Sequence, residues 1–116
     1  MKTIHNYKIT HEGIENQIKA GRYNPSRVII YKNHSFLIGA GNADDISVFQ
    51  EGDDLLILSI NYRLEYIGLE IFNLKSFAQY GEMFLQSNYE IDEIIGKKAF
   101  DLSPMTIAKR MSNYIY

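Results

Sequence analysis

Residues 44–72 read DDISVFQEGDDLLILSINYRLEYIGLEIF, and the alternation within this stretch decides the fold. Asp45–Gln50 sets Ile46 and Val48 against Ser47, the period of a strand. Glu51-Gly52-Asp53 is a hairpin turn, with a glycine free to take positive φ and acids that suit exposed turn positions. Asp54–Ile60 (DLLILSI) follows; it is apolar on both faces and belongs in the middle of a sheet. Asn61-Tyr62-Arg63 turns the chain again, and Glu65–Phe72 carries Ile67, Leu69 and Ile71 on one face. Gly68 inside that strand marks a bulge or a close approach of another group. Strands joined by turns this short form an antiparallel meander, because parallel strands need long crossovers.

The flanks extend the pattern. Arg27–Tyr31 (RVIIY) is a β-branched strand, Lys32-Asn33-His34 a tight turn, and Ser35–Ala40 the returning strand, broken by Gly41-Asn42. Upstream, residues 10–20 (THEGIENQIKA) predict a helix capped by Thr10, with Glu12 in its first turn and Gly21 beyond its end. Ile14 and Ile18 form a narrow stripe, as on a surface helix, and Asn24-Pro25 is a turn. Downstream, Asn73 is placed to cap a short helix over Leu74–Tyr80, stopped by Gly81. Glu82–Gln86 fits either a short strand or an extension of that helix. Ser87-Asn88-Tyr89-Glu90 has the form of a capping box, and Ser103-Pro104 opens a last helix whose Ile107, Ala108, Met111 and Ile115 share a face. The expected architecture is one α+β domain over residues 1–116. It is an antiparallel meander of about five strands, with an N-terminal helix and C-terminal helices packed on one face.

Composition limits the function classes. The chain has 116 residues, 46% of them apolar and 13% aromatic, which is too much core-forming material for a disordered protein. It has no cysteine, so it has no disulfide framework, thiolate metal site or cysteine nucleophile. The first residues hold no apolar core of signal-peptide length, and the central apolar run Leu55–Leu58 is far too short for a bilayer. The expectation is a cytoplasmic protein without membrane association.

The formal net charge of −2 conceals a polarised chain. Residues 1–43 hold six Lys or Arg and two Glu, residues 44–70 hold seven acids and only Arg63, and residues 71–116 hold five of each sign. Such charges can interleave between neighbouring strands and cancel, or they can form an acidic face that meets a basic partner.

No motif for chemistry stands out. His5, His11 and His34 lack the spacing of a zinc helix, and Asp44-Asp45 and Asp53-Asp54 lack that of a calcium loop. Solvated turn acids are the simpler reading of both pairs. Gly39-Ala40-Gly41 is not followed by the third glycine and helix that a dinucleotide loop needs. No serine sits in a nucleophile elbow. Lys19, Arg22, Arg27 and Lys32 with Tyr23 and Tyr31 form a small basic patch of the kind that stacks bases, but an acidic chain is repelled by phosphate. We therefore expect no enzyme activity, no cofactor, no metal and no direct contact with nucleic acid.

A protein-binding surface remains. Tyr62, Tyr66, Tyr80 and Tyr89 lie among acids, and tyrosine supplies a large contact area at low entropic cost. Half of these rings can equally be core or edge packing. The candidate contact set is Asp44, Asp45, Glu51, Asp53, Asp54, Tyr62, Glu65 and Tyr66, facing a basic protein. The alternative role for the acids is to keep neighbouring sheets from adding to this one. The profile is small, cysteine-free, acidic at its turns and without a catalytic motif. It resembles that of bacterial immunity proteins, which block a toxin's nuclease domain, and that of small phage-type inhibitors of nucleic-acid-targeting defence systems. The resemblance implies a stoichiometric inhibitor. A small-molecule-binding or enzymatic domain with a pocket between the sheet and a terminal helix is the competing expectation.

Overall fold

The segment read as apolar on both faces is the middle strand of the larger sheet. The computed structural model describes residues 1–21, 26–39 and 42–116. Its described residues form an α+β fold of eight strands in two sheets, every pairing antiparallel. The chain divides into two compact units, residues 5–42 and the remainder. No helix among the described residues is long and apolar enough to cross a membrane.

The larger unit is a five-stranded sheet in the order β1-β5-β6-β7-β8. The strands are β1 (Lys2–Thr3), β5 (Asp45–Glu51), β6 (Asp54–Asn61), β7 (Tyr66–Asn73) and β8 (Gln79–Leu85). All seven residues of β6 after Asp54 are buried. The β6–β7 register sets Leu56 against Ile71, Leu58 against Leu69 and Ile60 against Ile67, three apolar pairs on one face. Helices α2 (Asn88–Ile94) and α3 (Pro104–Ile115) complete this layer, and Ile91, Ile107, Ala108 and Met111 join the same core. Each fully buried Leu or Ile contributes about 1.5–3 kcal/mol over its exposed state. On the opposite face Val48, Leu55, Ile57 and Phe72 are also buried.

The turns follow their residues. Between β5 and β6 only Gly52, the first of two connecting residues, takes positive φ (60°), the pattern of a type II′ turn. Gly68 answers to a close approach. A Cβ there would lie 2.6 Å from two carbons of the Phe84 ring on β8, directly across the ladder. Ser87 caps α2 by accepting from the Glu90 N–H at 3.1 Å, and Ser103 caps α3 by accepting from Thr106 N–H at 3.2 Å, with Pro104 in the first turn. Arg110 of α3 donates to the Ile95 carbonyl at the end of α2, where Gly96 leaves the helix at φ 117°.

One helix expectation fails, and another holds over a shorter span. Leu74–Tyr80 is not helical: the Asn73 side chain accepts from the Lys75 and Ser76 N–H groups at 2.8 and 2.9 Å, an Asx turn. Asn73 N–H then donates to the Ala78 carbonyl, and Phe77 takes φ 61°, so the chain reverses into a hairpin. Pairing with β7 decides between the two readings of Glu82–Gln86, whose residues through Leu85 lie in β8. The ladder slips once, between Ile71 and Phe72 opposite Gly81 and Gln79.

The predicted 10–20 helix is present but shorter, and it lies in the smaller unit. Lys8–His11 is a strand (β2) with Thr10 opposite Val28, and the helix α1 spans only Ile14–Lys19 with Gly13 at its N-cap. The edge of β3 (Arg27–Tyr31) claims Thr10 before it can cap. The sheet order is β2-β3-β4, with β4 running His34–Ile38. The β3–β4 turn is Lys32-Asn33 alone, both at positive φ (50° and 64°) as a type I′ turn requires, and His34 already pairs with Tyr31. Ile29, Tyr31, Phe36 and Ile38 are buried, whereas Ile14 and Ile18 of α1 are 72% and 71% exposed. The expected Asn24-Pro25 turn and the Ala40-Gly41 part of the glycine motif lie outside the described residues.

Three substitutions test this packing by urea denaturation. Gly68→Ala is expected to lose about 1–3 kcal/mol by overpacking against Phe84. Ser103→Ala is expected to lose about 1 kcal/mol with the cap. Ser59→Ala is expected to cost nothing or to stabilise, because the Ser59 hydroxyl is buried without a hydrogen-bond partner.

Candidate functional site: the two ends of strand β6

The eight candidate residues do not form one surface. Asp44, Asp45, Tyr62, Glu65 and Tyr66 lie at the end of the sheet where β6 passes into β7. Glu51, Asp53 and Asp54 lie at the other end, at the β5–β6 hairpin. The length of β6, about 23 Å at 3.3 Å per residue, separates them.

At the hairpin end the acids already have partners. Glu51 faces Asp54 across the ladder, a like-charge pair that destabilises unless it is relieved. The Met1 ammonium pairs with Glu51, Lys75 with Asp53 at 3.2 Å, and the Tyr116 hydroxyl donates to Asp54 at 2.8 Å. The Tyr80 hydroxyl in turn lies 3.4 Å from that of Tyr116, with their rings 6.5 Å apart. Burial, then the hydrogen bonds with Tyr80 and Asp54, pushes the Tyr116 phenol well up. Tyr80 is also raised, by burial and by Asp54, with Tyr116 opposing.

The other end is built differently. Strand alternation carries the row Leu56, Leu58, Ile60 on to Tyr62, so Tyr62 emerges on the helix side of the sheet. Its ring there meets Phe100, in a short 3-10 turn (Ala99–Asp101), with centroids 5.9 Å apart and planes at 55°. Asp45 pairs with Ile60 and so projects from the same face. Asp45 is the largest cause of a raised Tyr62 pKa, through the pull of its carboxylate on the phenol proton, followed by desolvation and the charges of Asp45 and Asp44. Asp44 accepts from the Tyr62 N–H at 2.8 Å, while its own N–H donates to the Ile60 carbonyl. Asn61 ties the turn from below by accepting from Leu64 N–H at 2.7 Å.

Tyr62 remains 46% exposed and Leu64 54% exposed, with Asp44, Asp45, Arg63 and Glu65 exposed around them. Among the described residues no cation pairs with Asp44 or Asp45. Tyr66 is not part of this group: it pairs with Asn61, on the face opposite to Tyr62, and is half-buried. Phe100 and Leu64 went unnoticed in the sequence reading. Phe100 lies 38 residues from Tyr62 and only the fold joins them; Leu64 in an acidic turn was the one available signal.

Other candidates read differently in three dimensions. Tyr31, a supposed base-stacking ring, is buried, and the Lys32 ammonium lies 5.3 Å from its ring centroid. Arg22 and Tyr23 of that patch lie outside the described residues. No group of three or more His, Asp or Glu gathers among the described residues. In the smaller unit an open groove of 540 Å³ lies on one face of the sheet, lined by Thr10, Val28, Ile30, Ser35 and Leu37 from the strands and by Asn16 of α1.

The raised Tyr62 pKa has a pH consequence. The phenol is held protonated beyond its ordinary pKa of about 10, so the stability it contributes is complete below pH ~10 and is lost as pH rises through the higher folded value. The tyrosinate absorbance difference between wild type and Tyr62→Phe is expected to show ionisation above pH ~10, and Asp45→Asn is expected to bring it down toward the ordinary value. Comparison with known proteins finds no matching family model, no similar curated protein and no similar solved structure.

Proposed function

We propose that the chain is a stoichiometric protein-binding inhibitor of the immunity type, and that it docks a basic partner, a toxin or nuclease domain, through the Tyr62 end of its larger sheet. One observation carries the reading. Tyr62 is half-exposed yet fixed on its backbone side by Asp44 and at its ring by Phe100, with Asp45 on the same face of the sheet. A ring held in one orientation loses little entropy on contact, which is what makes a buried aromatic anchor effective. The two carboxylates add the steering field for a cationic surface. Asp44, Asp45, Tyr62 and Glu65 thus form the docking set. Glu51, Asp53 and Asp54 serve the hairpin end, where the cations and hydroxyls of the chain itself satisfy them. In this reading the chain has no catalytic role.

The test uses wild type, Tyr62→Ala and the Asp44→Asn/Asp45→Asn double variant as immobilised baits at low and high salt. A basic protein is expected on the wild-type bait at low salt, released at high salt, and inhibited at a one-to-one ratio. Loss of the Tyr62 anchor is expected to cost about 2 kcal/mol, roughly thirtyfold in affinity. A partner held equally by all three baits would overturn the assignment of the site.

The groove of the smaller unit supports a second reading, a small-molecule site, because 540 Å³ is within the range of ligand pockets and its mixed lining includes Val28, Ile30 and Leu37. A thermal-shift screen separates the two: a ligand of the groove raises the melting temperature, and Leu37→Asp removes the effect.

A further inference from the structure

The Tyr62 end also says which cation its partner presents. We infer that the partner's anchoring side chain is an arginine, stacked on the exposed side of the Tyr62 ring and forked onto the carboxylates beside it; this rests on the docking reading above.

The ring and the carboxylates are arranged as a flat platform with an acidic edge. Phe100 packs against the Tyr62 ring with centroids 5.9 Å apart, and Tyr62 as a residue remains 46% exposed. Asp45 projects from the same face of the sheet as Tyr62, and an oxygen of Asp44 lies 2.8 Å from the Tyr62 backbone nitrogen. Each carboxylate has four lone-pair sites, and Asp44 uses one on the Tyr62 N–H, so both retain acceptor capacity. A cation meeting this surface must cover a π-face and reach oxygens at its edge at the same time.

Guanidinium meets both demands. It is planar, it stacks on aromatic faces, and its five donors fork onto carboxylates. It is also more weakly hydrated than an ammonium and gives up water more readily at a half-exposed site. A lysine ammonium is a compact, strongly hydrated point charge. It can approach the ring or the carboxylates, but it lacks the flat fork that engages both. Leu64, 54% exposed in the same turn, offers an apolar wall for the methylene stem of the incoming side chain. Arg63 is the chain's own guanidinium at this tip and is exposed, with no partner among the described residues. It stands in the row after Tyr62 and does not occupy the platform.

Hexa-arginine and hexa-lysine peptides provide equal charge and differ in the feature at issue. Each is titrated into the full chain at low salt and followed by the backbone amide resonances of residues 44, 45, 62 and 64. Hexa-arginine is expected to bind about three- to fivefold more tightly. Tyr62→Leu is expected to remove the difference and leave weak, salt-sensitive binding of both peptides, and the Asp44→Asn/Asp45→Asn variant to weaken both.

Equal binding of the two peptides at these resonances would overturn the arginine inference and leave the basic-partner reading intact. So would an arginine preference that survives Tyr62→Leu. No perturbation of these residues by either peptide would overturn both.

Discussion

A strand with no face toward water must be hydrogen-bonded along both edges and covered on both faces. Strand β6 imposes this on the larger unit, since every residue from Leu55 to Asn61 is buried. Its neighbours β5 and β7 satisfy the edges over their full length, and the apolar row Leu56, Leu58, Ile60 requires the layer that α2 and α3 supply. The caps at Ser87 and Ser103 and the Arg110 bond to Ile95 hold those helices over it. Most acids of the opening stretch accordingly lie at the strand ends; Glu70, buried within β7, is the exception and accepts from the Gln79 amide at 3.4 Å.

The opening stretch therefore has two kinds of acid. Those at the hairpin end neutralise local problems, above all the Glu51–Asp54 confrontation, and are matched by an ammonium, a lysine and a phenol. Those at the Tyr62 end are matched only by tyrosine. The hairpin-end acids sit at a turn, and Asp45 lies on β5 beyond Phe49 and Gln50, the two residues that β1 pairs. The edges of the larger sheet are β1, of two residues, and β8, where the ladder slip and Glu82 discourage a further strand. Protection against edge pairing thus explains Glu82 better than it explains Asp44.

The central strands were legible because alternation and turn chemistry agreed there. Glu51-Gly52-Asp53 fixes the β5–β6 register, and DLLILSI can hardly sit anywhere but centrally. Ser103-Pro104 and Ser87-x-x-Glu90 were equally plain, since each cap is a local interaction written in adjacent residues. What failed was non-local. Thr10 can cap a helix or join a sheet, and only the presence of β3 beside it decides. Asn73 can cap a helix or make an Asx turn, and the need of β7 for an outer neighbour decides that. The same limit applies to the site. Eight residues close in sequence looked like one patch, but a strand of β6's length carries its two ends far apart, and strand alternation puts Tyr66 on the face away from Tyr62. Phe100, which supports the ring, has no local signature at all.

The slip at Ile71 and Phe72 has a bearing on how such a molecule can change over generations. With β8 poorly suited to strand addition, the proposed recognition at this sheet would rely on side chains at strand ends rather than on shared backbone ladders. Backbone recognition is indifferent to sequence, whereas side-chain recognition is rewritten one substitution at a time. The residues around Tyr62 stand outside the apolar rows of β6 and β7, so they can be exchanged while the core keeps its register. A scaffold arranged in this way can follow a partner that varies, with fold and specificity under separate selection.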